Sequence, residues 1–302
     1  MISTNNLHFS YGKKNILEGI NLQIPQGSIY GYLGKNGAGK STTIKLLLGL
    51  LPLNKQKIVY NDKEFLSHRT DILRKIGCMV ETPSLYAHFT CYEQLQYTDI
   101  FFKMGKKRIE EILQLVGLYN DRHKKIKHCS TGMKQRLAIG TALFHNPEIL
   151  ILDEPTNGLD PAAIYDIRKI LCDLHAQEKT IFISSHILSE IEKTCTHVGI
   201  IDKGKLLYQG TMTDLLAASK RRVTIWADAI CKATSIFTAN NIKIIREEKN
   251  SIELIIENDQ QFNKAIKLLV ENNIEIQNLD SHSDDLEHIF INLTSSDYAN
   301  KN

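Results

Sequence analysis

The 302-residue sequence has no long apolar run, so it offers no segment that would cross a bilayer. A crossing helix needs about 20 consecutive apolar residues. The longest apolar run, from Leu46 to Leu53, is interrupted by Gly49 and Pro52. The first residues, Met1 to Leu7, also lack the basic start and apolar stretch of a secretory signal. We therefore expect the protein to stay in the cytoplasm.

Metal-binding cysteine pairs and a strong basic charge are missing as well. None of the six cysteines forms a C-x-x-C pair or stands at zinc-binding spacing from a histidine, which predicts reduced thiols. The formal net charge is only +3, and residues 220–302 hold 10 basic against 13 acidic side chains. Because a basic patch or arm is the usual mark of nucleic-acid binding, we expect no nucleic-acid partner.

What the sequence does contain is a complete phosphate-binding loop of the form G-x-x-x-x-G-K-[S/T]. Its binding residues, with the first residue of the next run, are Gly34, Asn36, Gly37, Ala38, Gly39, Lys40, Ser41 and Thr42. A strand-like run, Ser28 to Leu33, precedes the loop and a helix-like run to Leu50 follows it, which argues against a glycine-rich turn that binds nothing. The loop N–H groups suit phosphate oxygens, Lys40 the β- and γ-phosphates, and Ser41 a bound Mg²⁺. The expected ligands are a nucleoside triphosphate and Mg²⁺.

Two further apolar runs end in residues that suit nucleotide chemistry. Glu148 to Leu152 leads into Asp153 and Glu154, and Lys179 to Ser185 leads into His186. Continuous apolar runs are typical of strands that are buried on both faces of a parallel sheet. Ligands of such sheets bind beyond the carboxyl ends of the strands, so we expect these side chains to converge with the phosphate loop.

The residue types at these strand ends predict three roles. Asp153 suits a partner of Mg²⁺, because a hard divalent cation prefers carboxylate oxygens and water. Glu154 suits a general base that polarises the water attacking the γ-phosphate. His186 suits a hydrogen bond to the γ-phosphate that holds the water and Glu154 in register. The alternatives are a solvated acidic turn and an ordinary histidine, and the position at buried strand ends favours the functional interpretation.

A fourth segment lies between the phosphate loop and the acidic pair. Residues 129–136 read C-S-T-G-M-K-Q-R, and a helix-like run from Leu137 to Phe144 follows. Ser130 is a good helix N-cap, and its hydroxyl, the Gly132 N–H and the helix dipole form an anion site. In this order with the other loops, the segment resembles the LSGGQ element of the ATP-binding cassette (ABC) family of transport ATPases. It departs from that element at Cys129, Thr131 and Met133.

The resemblance covers Leu7 to about Gly210 and implies both a fold and an assembly. The implied fold is an α/β P-loop NTPase (RecA-like) core with an antiparallel β subdomain and a helical subdomain at about 85–145, within an ATP-binding domain at 1–219. In the family, each ATP lies between the phosphate loop of one subunit and the LSGGQ-like segment of the other. That arrangement implies an ATP-dependent homodimer.

Three more residues match family positions. Tyr11 stands where an aromatic side chain stacks on adenine, with an ordinary turn tyrosine as the alternative. Asp160 corresponds to the loop that couples the two nucleotide sites across the dimer. Glu81 replaces the glutamine that contacts the Mg²⁺ sphere and the membrane subunit in most members. A carboxylate there adds negative charge and removes an amide donor, so we expect altered metal affinity and coupling.

The Glu81 replacement, the Ser130–Lys134 segment and the run from Leu286 to Thr294 resemble the bacitracin-resistance and lantibiotic-immunity group of bacterial exporters. This resemblance implies an ATPase that energises export or membrane clearance of an antimicrobial peptide or related amphipathic compound. A separate multi-span membrane permease would supply the path and hold the chain at the inner face of the membrane.

The helical subdomain is predicted to begin with a capping box. Thr90 and Glu93 have the spacing of that motif and open a helix through Phe102, and Ile109 to Val116 predicts another helix. In the family, a groove beside the Glu81 loop receives a short helix of the permease. The aromatic candidates to line it, with plain packing as the alternative, are Tyr86, Phe89 and Tyr92.

The pattern changes after residue 220 and predicts a small C-terminal α+β domain at 220–302. Its predicted order is β-α-β-β-α-β with a closing helix at Asp284 to Leu293. The predicted strands and helices are Val223 to Ala227, Ala229 to Ala239, Ile242 to Arg246, Ser251 to Glu257 and Asp259 to Val270. Nothing in this domain looks catalytic, and dimer support, regulation and contact with the permease all remain open.

Functions other than transport of an antimicrobial peptide also fit parts of the sequence. An ABC exporter subunit for an unrelated substrate, such as a drug or an ion, fits the same motifs. A non-transport ABC ATPase would act on nucleic acid or ribosomes, but such proteins carry long coiled-coil insertions or two cassettes, and this chain has neither. A small-molecule kinase shares the phosphate loop but has no use for the Ser130 segment or His186.

Overall fold

The computed structural model describes residues 1–53, 57–81, 84–217, 221–256, 258–283 and 286–295. The chain divides into two compact units, Met1–Met212 and Thr213–Asn302. The domain boundary predicted after residue 219 falls at 218–220, outside the described residues.

The first unit alternates short strands with helices. Its strands are β1 (Ile2–Asn5), β2 (Leu7–Tyr11), β3 (Lys14–Ile20), β4 (Gln23–Ile24), β5 (Ile29–Leu33), β6 (Lys57–Tyr60), β7 (Lys63–Glu64), β8 (Ile76–Met79), β9 (Ile149–Asp153), β10 (Thr180–Ser185), β11 (His197–Asp202) and β12 (Lys205–Thr211). Its helices are α1 (Lys40–Leu47), α2 (Arg69–Leu73), α3 (Cys91–Phe102), α4 (Lys106–Leu115), α5 (Thr131–Leu143), α6 (Pro161–His175) and α7 (Leu188–Thr194). Helix α8 (Met212–Ala217) begins at the division between the units.

A six-stranded sheet forms the centre of the first unit, in the order β12-β11-β5-β10-β9-β8. Strands β8, β9, β10, β5 and β11 run parallel, and β12 pairs antiparallel with β11. Every residue of β5, β9 and β10 is buried, which explains their continuous apolar sequences. The phosphate loop, Glu154 and His186 directly follow the carboxyl ends of these three neighbouring strands.

Two subdomains of the first unit flank this sheet, as predicted for the family fold. One contains the antiparallel sheet β4-β1-β6-β7 and the β2-β3 hairpin. The other contains α3, α4 and α5, which lie within the predicted helical range of about 85–145. Among the helices of the described residues, none has both the length and the apolar character that a bilayer crossing requires.

The second unit is an α+β fold with the predicted β-α-β-β-α-β order. Its elements are β13 (Arg221–Ala227), α9 (Ile230–Ala239), β14 (Lys243–Glu247), β15 (Ser251–Ile256), α10 (Asp259–Glu271), β16 (Ile276–Ser283) and α11 (Leu286–Thr294). The strands form one antiparallel sheet in the order β14-β15-β13-β16. Buried apolar side chains of α9, α10 and the sheet form its core, including Phe237, Leu254 and Leu269. Glu257 and residues 284–285 of the predicted elements lie outside the described residues.

Candidate functional site

A cavity of about 430 Å³ opens at the carboxyl edge of the central sheet. It is bounded by the phosphate loop, the residues after β9 and β10, and the β2-β3 hairpin. The lining residues are Lys14, Ile16, Asn36, Gly37, Gly39, Lys40, Ser41, Thr42, Glu154, Asn157 and His186. The predicted loop residues Gly34 and Ala38 belong to the loop backbone but are not among the lining residues.

The phosphate loop owes its shape to glycines that other residues would strain. Gly37 has φ +81° and Gly39 has φ +113°, both in the left-handed region that L-residues with a Cβ avoid. A Cβ on Gly39 would also lie 2.5 Å from Leu17 Cδ2. Gly39 is the N-cap of α1, and no side chain caps the helix. The first N–H groups of α1 therefore remain available to an anion in the cavity.

Lys40 is a buried cation at the floor of this loop. Its side chain is only 6% exposed, and its Nζ donates to the Gly34 carbonyl at 2.7 Å. Nζ also lies 3.1 Å from Glu154 Oε1. A buried ammonium needs such partners, because desolvation of an unpaired charge is costly. The arrangement presents a fixed positive charge to the cavity.

Glu154 is held by contacts at both carboxylate oxygens. Oε1 lies 3.1 Å from Nζ of Lys40. Oε2 lies 2.7 Å from Nδ1 of His186 and accepts a hydrogen bond from it, because a carboxylate oxygen is an acceptor. The backbone of Glu154 has φ +49°, a left-handed conformation that is costly for a residue with a Cβ. Such strain persists only where surrounding contacts determine it. Glu154, His186 and Lys40 thus form one connected polar cluster.

Asp153 lies beside this cluster but does not line the cavity. It is 5% exposed, and its Oδ1 accepts a 2.5 Å hydrogen bond from Oγ of Ser184 on β10. Ser41, by contrast, lines the cavity directly. The described residues contain no cluster of three or more His, Cys, Asp or Glu side chains that could hold a metal. The hydroxyl of Ser41 and the carboxylate of Asp153 are hard oxygen donors, and such a small set suits Mg²⁺ that is also bound by phosphate and water.

Glu81, expected near the Mg²⁺ sphere, is placed outside the cavity. It is exposed, has φ +60°, and its Oε1 lies 2.5 Å from Nζ of Lys45 on α1. That hydrogen bond is the main reason that the pKa of Lys45 is raised above its usual value. The structure therefore links the Glu81 segment to the helix that follows the phosphate loop, through Lys45 rather than through the cavity lining. The next residues, Thr82 and Pro83, lie outside the described residues.

The LSGGQ-like segment and Asp160 also lie away from this cavity. Ser130 is the N-cap of α5 and accepts from the Met133 N–H at 3.2 Å, and Asp160 is the N-cap of α6. The two helix starts touch, because a Cβ on Gly132 would lie only 2.7 Å from Ala163 Cβ. None of Ser130, Gly132 and Asp160 lines the phosphate-loop cavity.

The β2-β3 hairpin contributes residues that sequence reasoning missed. Lys14 and Ile16 of β3 line the cavity and were not predicted. Tyr11, which was predicted, ends β2, is 52% exposed and pairs across the hairpin with Lys14, but it is not among the lining residues. Asn157, after β9, is a further lining residue that was not predicted. Lys14 and Ile16 belong to no recognised motif. The one signal that could have indicated them is the position of Lys14 close to Tyr11 in the sequence. Ser184 was missed because an apolar strand context predicts plain burial.

Comparison with known proteins identifies the family. The sequence profile of the ABC transporter family matches residues 17–157. The chain is 40% identical over 296 residues to the bacitracin transport ATP-binding protein BcrA of Bacillus licheniformis, and the alignment covers 97% of each protein. The chain belongs to the ABC transporter family.

Two further comparisons agree with this assignment to the ABC transporter family. The chain is 42% identical over 209 residues to the lantibiotic transport ATP-binding protein SrtF of Streptococcus pyogenes, over 69% of this chain and 90% of that one. A solved structure of an ATP-binding subunit of an ABC transporter superposes with a TM-score of 0.63 at 30% identity, over 71% of this chain and 91% of that one. The P-loop NTPase fold expected from the sequence is confirmed.

Family membership establishes the activity. The chain is an ATPase that uses ATP and Mg²⁺, and it is the ATP-binding subunit of a transporter that works with a separate permease. The cavity fits these cofactors, because it combines loop N–H groups, the Lys40 ammonium and the Ser41 hydroxyl at the start of a helix. Bound Mg²⁺ would neutralise charge on the β- and γ-phosphates.

Proposed function

We propose that this chain energises the export or membrane clearance of an antimicrobial peptide or a related amphipathic compound. The observation that carries the proposal is the full-length match to a bacitracin transport protein, which extends through the second unit and covers 97% of both chains. The lantibiotic transport protein described above supports the same substrate class.

For the chemical step, we assign the roles from the contacts in the cavity. Glu154 is the general base that accepts a proton from the attacking water, and His186 orients its carboxylate through the 2.7 Å hydrogen bond. Lys40 stabilises the negative charge on the transferred phosphoryl group. Ser41 and Asp153 would hold Mg²⁺ through their hard oxygen atoms. Tyr11, exposed beside Lys14, stacks on adenine.

For the assembly, the proposal is an ATP-dependent homodimer on the cytoplasmic side of the membrane. Ser130 is exposed at the start of α5 and lies away from the cavity of its own chain. A second copy would bring its own Ser130 and Gly132 N–H to the bound triphosphate, with Asp160 at the same interface. An exposed helix start at the positive end of the helix dipole suits that use.

For the coupling to transport, the proposal assigns the Glu81 segment and a nearby aromatic surface to the permease. Tyr86, Phe89, Tyr97 and Phe101 form a chain of ring contacts with centroids 5.0 to 6.1 Å apart. Phe101 is 68% exposed and Tyr86 is 43% exposed, which is unusual for large aromatic residues. Exposed aromatic residues are typical anchors of protein interfaces.

The proposed function is tested in cells that lack the native gene and carry the wild type, Glu154→Gln or Glu81→Ala. Wild type is expected to restore resistance to bacitracin or to a lantibiotic. Glu154→Gln is expected to abolish it, because loss of the base lowers turnover about 100-fold or more. Glu81→Ala is expected to lose resistance while the purified protein still binds ATP, since the exposed carboxylate does not line the cavity.

Controls separate this proposal from its alternatives. Equal sensitivity to both peptides with and without the wild-type gene would contradict the substrate class, and resistance to an unrelated drug alone would favour a different exporter. Affinity purification from a detergent extract is expected to recover a multi-span membrane protein. Recovery of ribosomes or DNA instead would favour a non-transport ATPase.

A further inference from the structure

Ser184 connects the two acidic residues of the site through a single hydroxyl. It lies on β10, is fully buried, and pairs in register with Asp153 on the parallel strand β9. Its Oγ is 2.5 Å from Asp153 Oδ1 and 2.9 Å from the Glu154 backbone nitrogen. The Ser184 carbonyl also accepts from that nitrogen at 3.2 Å.

The direction of these hydrogen bonds follows from the groups involved. The Glu154 N–H can only donate, so it donates to Ser184 Oγ. The Asp153 carboxylate oxygen accepts, so the hydroxyl proton points to Oδ1. The result is a directed chain from the Glu154 N–H through Ser184 to the Asp153 carboxylate. Hydrogen bonds that end on a charge in a buried setting are short and strong, and they reinforce one another.

Both ends of this chain control geometry that the proposed mechanism needs. At one end, the hydroxyl fixes the rotation of the Asp153 carboxylate. At the other end, it holds the N–H of Glu154, whose backbone has the strained φ of +49°. That backbone conformation directs the Glu154 side chain to Lys40 and His186. Loss of the hydroxyl would therefore loosen the metal partner and the base together.

We propose that Ser184 is a positioning residue that sets the orientation of both Asp153 and Glu154 for Mg²⁺-dependent hydrolysis. The proposal rests on the roles assigned above to those two residues. Partners that orient a metal ligand from behind typically contribute 10- to 100-fold to metal affinity or activity. Ser184 does not line the cavity, so nucleotide binding without Mg²⁺ should not depend on it.

The neighbouring residue provides a matched control. Ser185 is also buried on β10, at 2% exposure, but its Oγ accepts from the Ile187 N–H at 2.9 Å. Successive side chains of a strand point to opposite faces, which separates the two hydroxyls. Ser185→Ala therefore removes the same buried group from the same strand without touching the chain from Glu154 to Asp153.

The test compares purified Ser184→Ala, Ser185→Ala and wild type by binding of a fluorescent ATP analogue and by ATPase activity. For Ser184→Ala we expect unchanged binding in EDTA, a rise of about tenfold in the Mg²⁺ concentration at half-saturation, and a kcat lowered about 10- to 100-fold. The KM for ATP should change less than kcat. Ser185→Ala should match wild type in both measurements.

A second pair of variants separates the hydroxyl from the space it fills. Ser184→Thr keeps the hydroxyl, and Ser184→Val has the shape of threonine without the hydroxyl. The Thr variant is therefore expected to resemble wild type, and the Val variant is expected to resemble Ser184→Ala. Mg²⁺ dependence and kcat within twofold of wild type in Ser184→Ala would overturn the proposal. So would a failure of both Ala and Val to fold while Thr folds, because the hydroxyl would then serve stability.

One reference variant distinguishes this inference from the roles on which it rests. If Asp153 holds the metal, Asp153→Asn should weaken the Mg²⁺ response, which means that it should raise the Mg²⁺ concentration at half-saturation. If Asp153→Asn weakens that response and Ser184→Ala does not, only the inference about Ser184 fails. If Asp153→Asn leaves the response unchanged, the proposed role of Asp153 fails, and the inference about Ser184 fails with it.

Discussion

Gly132 shows how a single missing side chain sets the position of the LSGGQ-like segment. It is buried at the start of α5, and an added Cβ would meet Ala163 Cβ on α6 at 2.7 Å, closer than van der Waals contact allows. Neither a Cβ nor the helix that carries it can move aside without displacing its neighbours. The glycine therefore allows the close packing of the starts of α5 and α6.

The contact predicts the effect of Gly132→Ala. We expect this variant to lower the free energy of unfolding by about 1–3 kcal/mol, because an extra methyl in a packed site must be accommodated by movement. Denaturant unfolding measures the loss, and ATPase assays report the displacement of Ser130.

The double variant Gly132→Ala/Ala163→Gly supplies the control, because Ala163→Gly removes the obstructing methyl. The pair should be more stable than the sum of the single changes implies, with a coupling of about 1 kcal/mol. Additive effects in the cycle would rule out the contact as the cause.

For individual residues, the sequence predicted the motif residues but not their supporting partners. Lys40, Ser41, Glu154 and His186 were predictable because each stands in a local motif or at a strand end, and the structure brings all four to one cavity. Ser184 was not predictable in the same way. Its partners lie 30 and 31 positions away and meet it only through sheet pairing, which no local pattern encodes.

Among the elements, the start of α3 illustrates a helix boundary that the sequence determines directly. Thr90 Oγ1 accepts from the Glu93 N–H at 3.1 Å, and the Glu93 carboxylate accepts from the Thr90 N–H at 2.7 Å. This is the reciprocal capping box predicted from the spacing of the two residues. The hydrogen bond from the Thr90 backbone is the main reason that the pKa of Glu93 is lowered.

Removal of this cap by Thr90→Ala is expected to destabilise the first unit by about 1 kcal/mol at neutral pH. Because the folded state lowers the pKa of Glu93, its stabilising contribution is present above the ordinary pKa of a glutamate. It is lost as the pH falls through the lowered value. Thr90→Ala removes only the hydroxyl acceptor and keeps the backbone N–H that is the main cause of the lowered Glu93 pKa. Urea unfolding should therefore show a similar difference between variant and wild type at neutral and acidic pH, while both lose stability in acid.

The exposed Thr70 on α2 provides the control for that experiment. Thr70→Ala changes the same residue type where no cap is involved, so its effect should stay within about 0.5 kcal/mol at both pH values. An equal loss in the two variants would show that the cap of α3 contributes nothing particular.

Element boundaries were less predictable where apolar periodicity was weak. The apolar pattern indicates α5 only from Leu137, but the helix begins at Thr131, directly after Ser130, which was identified as a good N-cap. The first turn contains Lys134 and has no apolar stripe, so hydrophobic pattern alone could not reveal it. By contrast, β9 and β10 were predicted within one residue at each end, because strands buried on both faces leave an unbroken apolar run.

For the whole molecule, the central proposal is that one chain supplies only half of each nucleotide site. The phosphate-loop cavity contains the groups for phosphate binding and hydrolysis, while Ser130, Gly132 and Asp160 lie outside it. The proposed complete site therefore needs a second copy of the chain.

The most direct test is the mass of the Glu154→Gln protein by size-exclusion chromatography with light scattering, with and without Mg²⁺-ATP. We predict the 34.3 kDa monomer without nucleotide and twice that mass with it, because slow hydrolysis retains ATP in the dimer. Adding Ser130→Asp, which preserves the helix cap but sets a carboxylate against the triphosphate, should prevent the doubling and leave ATP binding intact. A mass that remains 34.3 kDa at saturating ATP would contradict the proposed homodimer. A doubling of the mass that Ser130→Asp does not prevent would contradict the proposed role of Ser130 in it.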